Sequence, residues 1–168
     1  HLPVATVNAT FKTAKGPEGL AVALARLCFE AEMSVRDGAG VVIVSDRFVD
    51  QDTAPIPALL ATAAVHNRLL ESGLRTKTAL VIETGEPRED HHFACLIGYG
   101  AGLVHPYLAL ATARDVPSSI KGGYVTENQG ITSEKAVTNY IKGIEKGLLK
   151  IMSKMGISVI SSYRGGLN

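Results

Sequence analysis

Two carboxylates, a guanidinium and an imidazole stand where an α/β protein would hold chemistry. Ser45-Asp46-Arg47 follows the run Val41-Val42-Ile43-Val44, Glu83-Thr84-Gly85-Glu86 follows Ala79-Leu80-Val81-Ile82, and His105 follows Leu103-Val104. If these runs are parallel strands, their C-terminal ends share one rim, the place where such folds put ligands. Asp46, Arg47, Glu83, Glu86 and His105 are then candidates for acid–base or metal chemistry. The competing expectation, which is preferred, is that Asp46 with Arg47, and Glu83 with Arg75 or Arg88, are ion pairs that fix the loops.

Other groups carry less. His91 and Cys95 sit one helical turn apart beside His92, but zinc needs three or four converging ligands, and His66 and His105 fall on separate elements. Cys95, between Ala94 and Leu96-Ile97, reads as a small core residue. Gly98-Tyr99-Gly100-Ala101 follows a helix and precedes a strand, the reverse of the order a dinucleotide fingerprint requires. No phosphate-binding Gly-x-x-x-x-Gly-Lys, nucleophile elbow or metalloprotease helix occurs. Lys142, Lys146, Lys150 and Lys154 form a stripe expected to be solvated or to face another domain.

The elements that must position the rim alternate between strand and helix. Val4 to Thr10 is an expected first strand. Gly16-Pro17-Glu18 starts a helix, with Leu20, Leu24, Leu27, Cys28, Ala31 and Val35 at helical spacing up to Gly38. The β-branched run at 41–44 reads as a strand buried on both faces. A second helix follows Pro57 and ends at Gly73, a third strand spans 79–82, a third helix runs from Glu89 to Tyr99, and a short strand lies at Leu103-Val104. Three strand–helix units imply right-handed crossovers and a parallel sheet of about four strands, open or partly barrel-like. Arg114 to Gly130 is an expected loop. A long amphipathic helix follows Thr132-Ser133, with Ile141, Ile144, Leu148, Ile151, Met152 and Met155 on its packing face. Val159-Ile160 looks like a strand just begun, so the chain reads as a piece of something larger.

The composition is that of an ordinary globular domain, with 46% hydrophobic and 20% charged residues. Lys plus Arg total 17 against 16 for Asp plus Glu, which gives no field for nucleic acid or an anionic membrane. No apolar run is long enough to span a bilayer. The cysteines, Cys28 and Cys95, are expected to be reduced.

Particular strings go further than pattern. Val41-Val42-Ile43-Val44-Ser45-Asp46-Arg47, Ala54-Pro55-Ile56-Pro57-Ala58-Leu59-Leu60, Gly73-Leu74-Arg75-Thr76 and Val81-Ile82-Glu83-Thr84-Gly85-Glu86 resemble the central domain of the glutamate synthase large subunit. So do His91-His92-Phe93-Ala94, Ile97-Gly98-Tyr99-Gly100-Ala101 and His105-Pro106-Tyr107. The strongest match runs from Asn139-Tyr140-Ile141-Lys142 through Met152-Ser153-Lys154-Met155-Gly156-Ile157-Ser158 to Ser162-Tyr163-Arg164-Gly165.

The resemblance implies a parent enzyme with an amidotransferase domain before this segment and a domain with flavin mononucleotide and an iron–sulfur cluster after it. Such enzymes carry ammonia from glutamine through an internal passage to 2-oxoglutarate, with electrons from a pyridine-nucleotide-dependent subunit or from ferredoxin. The segment itself is expected to hold no cofactor and no catalytic residue. Residues 1–156 would be the linking domain and 157–168 the lead-in to the flavin domain, where Lys154 and Ser158 are the positions to ask about a flavin-side role. The cytoplasm is the implied location, or a plastid in a photosynthetic eukaryote. A stand-alone enzyme using Asp46, Glu83 and His105, and a self-associating scaffold whose uncovered surfaces are sticky, are the alternatives.

Overall fold

A computed structural model describes residues 2–119 and 131–165. The strands are β1 (Val4–Asn8), β2 (Thr10–Lys12), β3 (Val41–Ser45), β4 (Thr53–Pro55), β5 (Ala79–Glu83) and β6 (Leu103–His105). The helices are α1 (Gly16–Arg36), α2 (Ala58–Glu71), α3 (Asp90–Gly98), α4 (Tyr107–Ser119), α5 (Ser133–Lys154) and α6 (Ile160–Tyr163). β1, β3, β5 and β6 form one sheet in that order, every pair parallel. Neighbours in the sheet are thus successive along the chain, and crossovers of one hand place α1, α2 and α3 on the same face.

That face holds the core. Side chains alternate across a strand, so Val7, Val42, Val44, Leu80 and Ile82 point together. They meet Leu27, Ala31 and Val35 of α1, Ala61, Val65 and Leu69 of α2, and Leu96 of α3, all buried. Removing a leucine or valine side chain of this size from water contributes about 1.5–3 kcal/mol. Glu32 ties the two longest of these helices together, accepting from Arg36 on its own helix and from Arg68 of α2, each at 2.6 Å. A second cluster lies outside α3, where Met152 of α5 and Tyr163 of α6 bury Ala94.

Three expectations need correction. The first strand stops at Asn8, whose Oδ1 accepts from Thr10 N at 2.9 Å and Thr10 Oγ1 at 2.8 Å; this Asx-type turn redirects the chain so that β2 pairs antiparallel with β4. Arg114 to Ser119 is helix, because the alanine-rich start of α4 favours helix and packs on α5, with Pro117 confined to the last turn; residues 120–130 lie outside the described residues. No strand begins at Val159-Ile160. Val159 is extended, but Ile160–Tyr163 turns into a helix that delivers Tyr163 to the second cluster, so burial overrides the β-preference of two branched residues.

At the N-terminal ends of β5 and β6, Arg75 donates to His66 Nδ1 at 2.9 Å, Thr78 O at 2.9 Å and Gly100 O at 2.8 Å. The bond to Nδ1 requires a neutral ring. Burial, with the charge of Arg75, lowers the His66 pKa. A depressed folded pKa gives stability that is complete above the unfolded value, about 6.5, and is lost as pH falls through the folded one. Stability measured by urea titration is therefore expected to fall as pH drops below about 6.5, and a His66→Gln variant to lose this slope.

Gly147 lies in the middle of α5 where α3 crosses it, and a Cβ there would run into the Asp90 side chain. Glycine to alanine inside a helix usually stabilises by about 1 kcal/mol. Here the sign is expected to reverse, with Gly147→Ala destabilising by about 1–3 kcal/mol in chemical denaturation.

Candidate functional site

The strand register builds the rim directly. Asn8 pairs with Ser45, Ser45 with Glu83, and Glu83 with His105, so one row of side chains crosses all four strands at their C-terminal ends. These residues point away from the helix-covered face, because each is one position out of phase with the core. Ser45 Oγ donates to Glu83 Oε2 at 2.6 Å and Arg47 Nε donates to Oε1 at 2.7 Å. His105 Nε2 lies 4.0 Å from the same Oε1, beyond a hydrogen bond. The Arg47 guanidinium carbon sits 4.3 Å from the centre of the Tyr107 ring, a cation–π contact.

Burial raises the Glu83 pKa, but the bonds from Ser45 and Arg47, with the charges of Arg47 and His105, outweigh it and hold the carboxyl below its usual range. Glu83 is therefore an ionised acceptor with both oxygens engaged. Asp46 faces the other way. It is buried, and its Oδ2 accepts from Thr84 Oγ1 at 2.5 Å and from Gly85 N at 3.2 Å. Burial, reinforced by a hydrogen bond to Asp46, pushes the Tyr107 hydroxyl up to about 12. Glu86 has a third role: its Oε1 accepts from Ala58 N at 3.0 Å. Pro57 offers no side-chain oxygen to cap α2, so Glu86 supplies the missing acceptor from the β5 loop.

The sequence-derived rim residues are thus brought together, with different partners. Asp46 and Arg47 are adjacent but diverge, Asp46 to Thr84 and Gly85, Arg47 to Glu83. Arg75 sits at the opposite end of β5 and cannot reach Glu83, while the Arg88 backbone carbonyl accepts from Tyr140. Tyr107 was not a rim candidate. Its position directly after His105-Pro106, at the start of a helix, is the signal that places it there. Cys95 Sγ lies 3.8 Å from His91 Nε2, and among the described residues no three His, Cys, Asp or Glu side chains converge on a point that would hold a metal.

The residues present do not fit the cofactors implied by resemblance. A flavin phosphate at this rim would meet the ionised Glu83 and the buried Asp46 rather than a glycine-rich loop with free N–H groups. An iron–sulfur cluster takes about four thiolates. The chain has two cysteines, on separate helices, and burial raises the Cys28 thiol pKa.

A singly wound parallel sheet with helices on one face and a braced polar rim defines a barrel-type α/β unit. The chain belongs to the glutamate synthase central domain family, whose model matches residues 1–168. It is 49% identical over 165 residues to the glutamate synthase [NADPH] large chain of Azospirillum brasilense, covering 98% of this chain and 10% of that one. The ferredoxin-dependent glutamate synthase of Spinacia oleracea is 46% identical, over 92% of this chain and 10% of its own length. The glutamate synthase [NADH] of Schizosaccharomyces pombe is 41% identical, over 96% and 7%. The chain therefore spans about a tenth of the length of these relatives. Among solved structures, a flavocytochrome b2 mutant with pyruvate bound superposes with a TM-score of 0.59 at 16% identity, over 82% of this chain and 31% of that one, a likeness of fold alone. No helix among the described residues is long and apolar enough to cross a membrane.

The Glu86 cap yields a direct test. Glu86→Ala is expected to cost about 0.5–2 kcal/mol in urea denaturation, with Glu86→Gln, which keeps an acceptor oxygen, recovering part of the loss.

Proposed function

We propose that this chain is the architectural central segment of a glutamate synthase, the enzyme that converts glutamine and 2-oxoglutarate with a reductant to two glutamates. In this reading residues 1–156 space the amidotransferase and flavin sites and help to wall the passage for ammonia, and residues 157–168 lead toward the flavin domain. The observation that carries the reading is the state of the rim: Asp46, Glu83 and Glu86 are each engaged by groups of this same chain, Glu83 across the ends of two paired strands, Asp46 between two loops and Glu86 from a loop to the start of a helix. Such carboxylates brace a scaffold. A general base needs a free lone pair within reach of a substrate proton.

The relatives support the same view. Glutamate synthases named for NADH, NADPH and ferredoxin all match this segment at 41%, 49% and 46% identity, as expected of a part that does not touch the electron donor. On this reading flavin, iron–sulfur cluster and donor belong to neighbouring parts of the long chain or to its partners. Lys154 and Ser158 are exposed, and both precede the short helix that turns back onto α3 and α5.

The enzymatic alternative would use Asp46, Glu83 and His105, of which His105 Nε2 lies 4.0 Å from Glu83 Oε1, beyond a hydrogen bond. The two readings separate in a full-length glutamate synthase carrying Asp46→Asn, Glu83→Gln or His105→Gln. Architectural residues are expected to leave kcat for glutamine-dependent glutamate formation within about threefold in protein that remains folded. A general acid or base would lose about 10²–10⁴-fold, and such a loss without a change in thermal stability would reject the proposal.

A further inference from the structure

We propose that Arg75, Arg164 and His66 form a site for a single oxyanion, a carboxylate or a phosphate group. The site lies by the N-terminal ends of β5 and β6, away from the rim, so it does not rest on the functional reading above.

The partners of the arginines set two of them apart. Arg26, Arg36, Arg47 and Arg68 each pair with a glutamate. Arg75 and Arg164 pair with no described carboxylate. Arg75 meets neutral acceptors only, His66 Nδ1 and the carbonyls of Thr78 and Gly100. Arg164 follows directly on α6, and its Nε is buried with no hydrogen-bond partner among the described residues. Burial, and after it the charge of Arg164, lowers the Arg75 pKa, so the two guanidiniums lie within electrostatic reach of each other.

His66 adds a donor to this pair. Because Nδ1 accepts from Arg75, the ring proton is on Nε2. Gly165 runs beside that nitrogen: a Cβ there would stand 3.1 Å from Nε2 and 3.4 Å from Cε1, and its φ of 66° is itself a glycine conformation. The residue after Arg164 is thus one that leaves Nε2 uncovered.

Donors without acceptors, and two positive charges without a counter-charge, define the ligand. Water would take up the Nε–H of Arg164 but leave the guanidiniums repelling each other in a half-buried place, where screening is weak. An oxyanion answers both, and its paired oxygens match the planar fork of arginine. A free ion, or a carboxylate side chain from another segment of a longer chain, supplies the same chemistry.

Two measurements test this: a crystal structure of a full-length glutamate synthase carrying this segment, and calorimetric titration of the 168-residue chain with inorganic phosphate. In the crystal an oxyanion oxygen is expected within about 3.2 Å of Arg164 Nε. Its identity separates a free ion from a side chain of the longer chain. Water alone there, a backbone carbonyl or no acceptor would overturn the proposal. In the titration the chain, folded by far-ultraviolet circular dichroism, is expected to bind a single phosphate. Arg164→Gln should weaken binding at least about tenfold, with Lys146→Glu on the exposed face of α5 changing nothing. No binding by the folded chain would overturn the proposal, as would phosphate held equally well by Arg164→Gln, the mark of an adventitious ion only.

Discussion

The in-register parallel pairing of β1, β3, β5 and β6 is the constraint on which everything else depends. With a side-chain period of two, aligned strands sort their residues into rows, and a slip of one residue would exchange the two faces. The observed register sends Val42, Val44, Leu80 and Ile82 to the helices and Ser45, Glu83 and His105 to the other face. Because successive strands are neighbours, α1, α2 and α3 all come down on one side. A single choice of register therefore produces the core, the bare face and the polar rim.

The rim shows how a cluster of charges can serve stability without serving catalysis. Glu83 receives Ser45 and Arg47, Asp46 receives Thr84 and Gly85, and Glu86 reaches the start of α2. Every bond links segments that are far apart in sequence, so the loops beyond β3 and β5 are held in fixed relation. Charge-assisted bonds of this kind are stronger than neutral ones, and two of them converge on Glu83 in a half-buried place. At the opposite end of the sheet Arg75 does a similar task with neutral acceptors, His66 and two backbone carbonyls. The unit is thus clamped at both ends of its strands, while its bare face has no clamp.

Much of this was legible in the chain. The β-branched run at 41–44, the apolar run at 79–82, the glycines that end α1 and α2, and the period of α1 placed the main elements, and strand–helix alternation implied the parallel sheet. The rim residues could be named because strand ends in such sheets are on one side. Their partners could not. Whether Glu83 meets Arg47 or Arg75 depends on which end of β5 each arginine occupies and on where adjacent side chains diverge, and spacing in sequence carries neither. The Asx turn at Asn8 and the pairing of β2 with β4 were missed because short strands have weak periodicity and Asn8 acts through a local bond.

The end of the chain shows the same division. Lys142, Lys146, Lys150 and Lys154 opposite Ile144, Leu148 and Met152 define an amphipathic helix from sequence alone, since 3.6-residue periodicity needs no partner to be recognised. Its apolar residues are not all buried: Ile141 and Met155 remain exposed, whereas Met152 is covered in the cluster with Ala94 of α3 and Tyr163 of α6. Val159 and Ile160 favoured a strand by type, but the buried site for Tyr163 between α3 and α5 made a helical turn the better solution. The sequence determined the family, the main strands and helices and most residues of the rim, because those are written in local period and in recognisable strings. Only the tertiary structure decided which charges pair and which sheet face stays bare, because both follow from contacts between segments that the chain brings together only on folding.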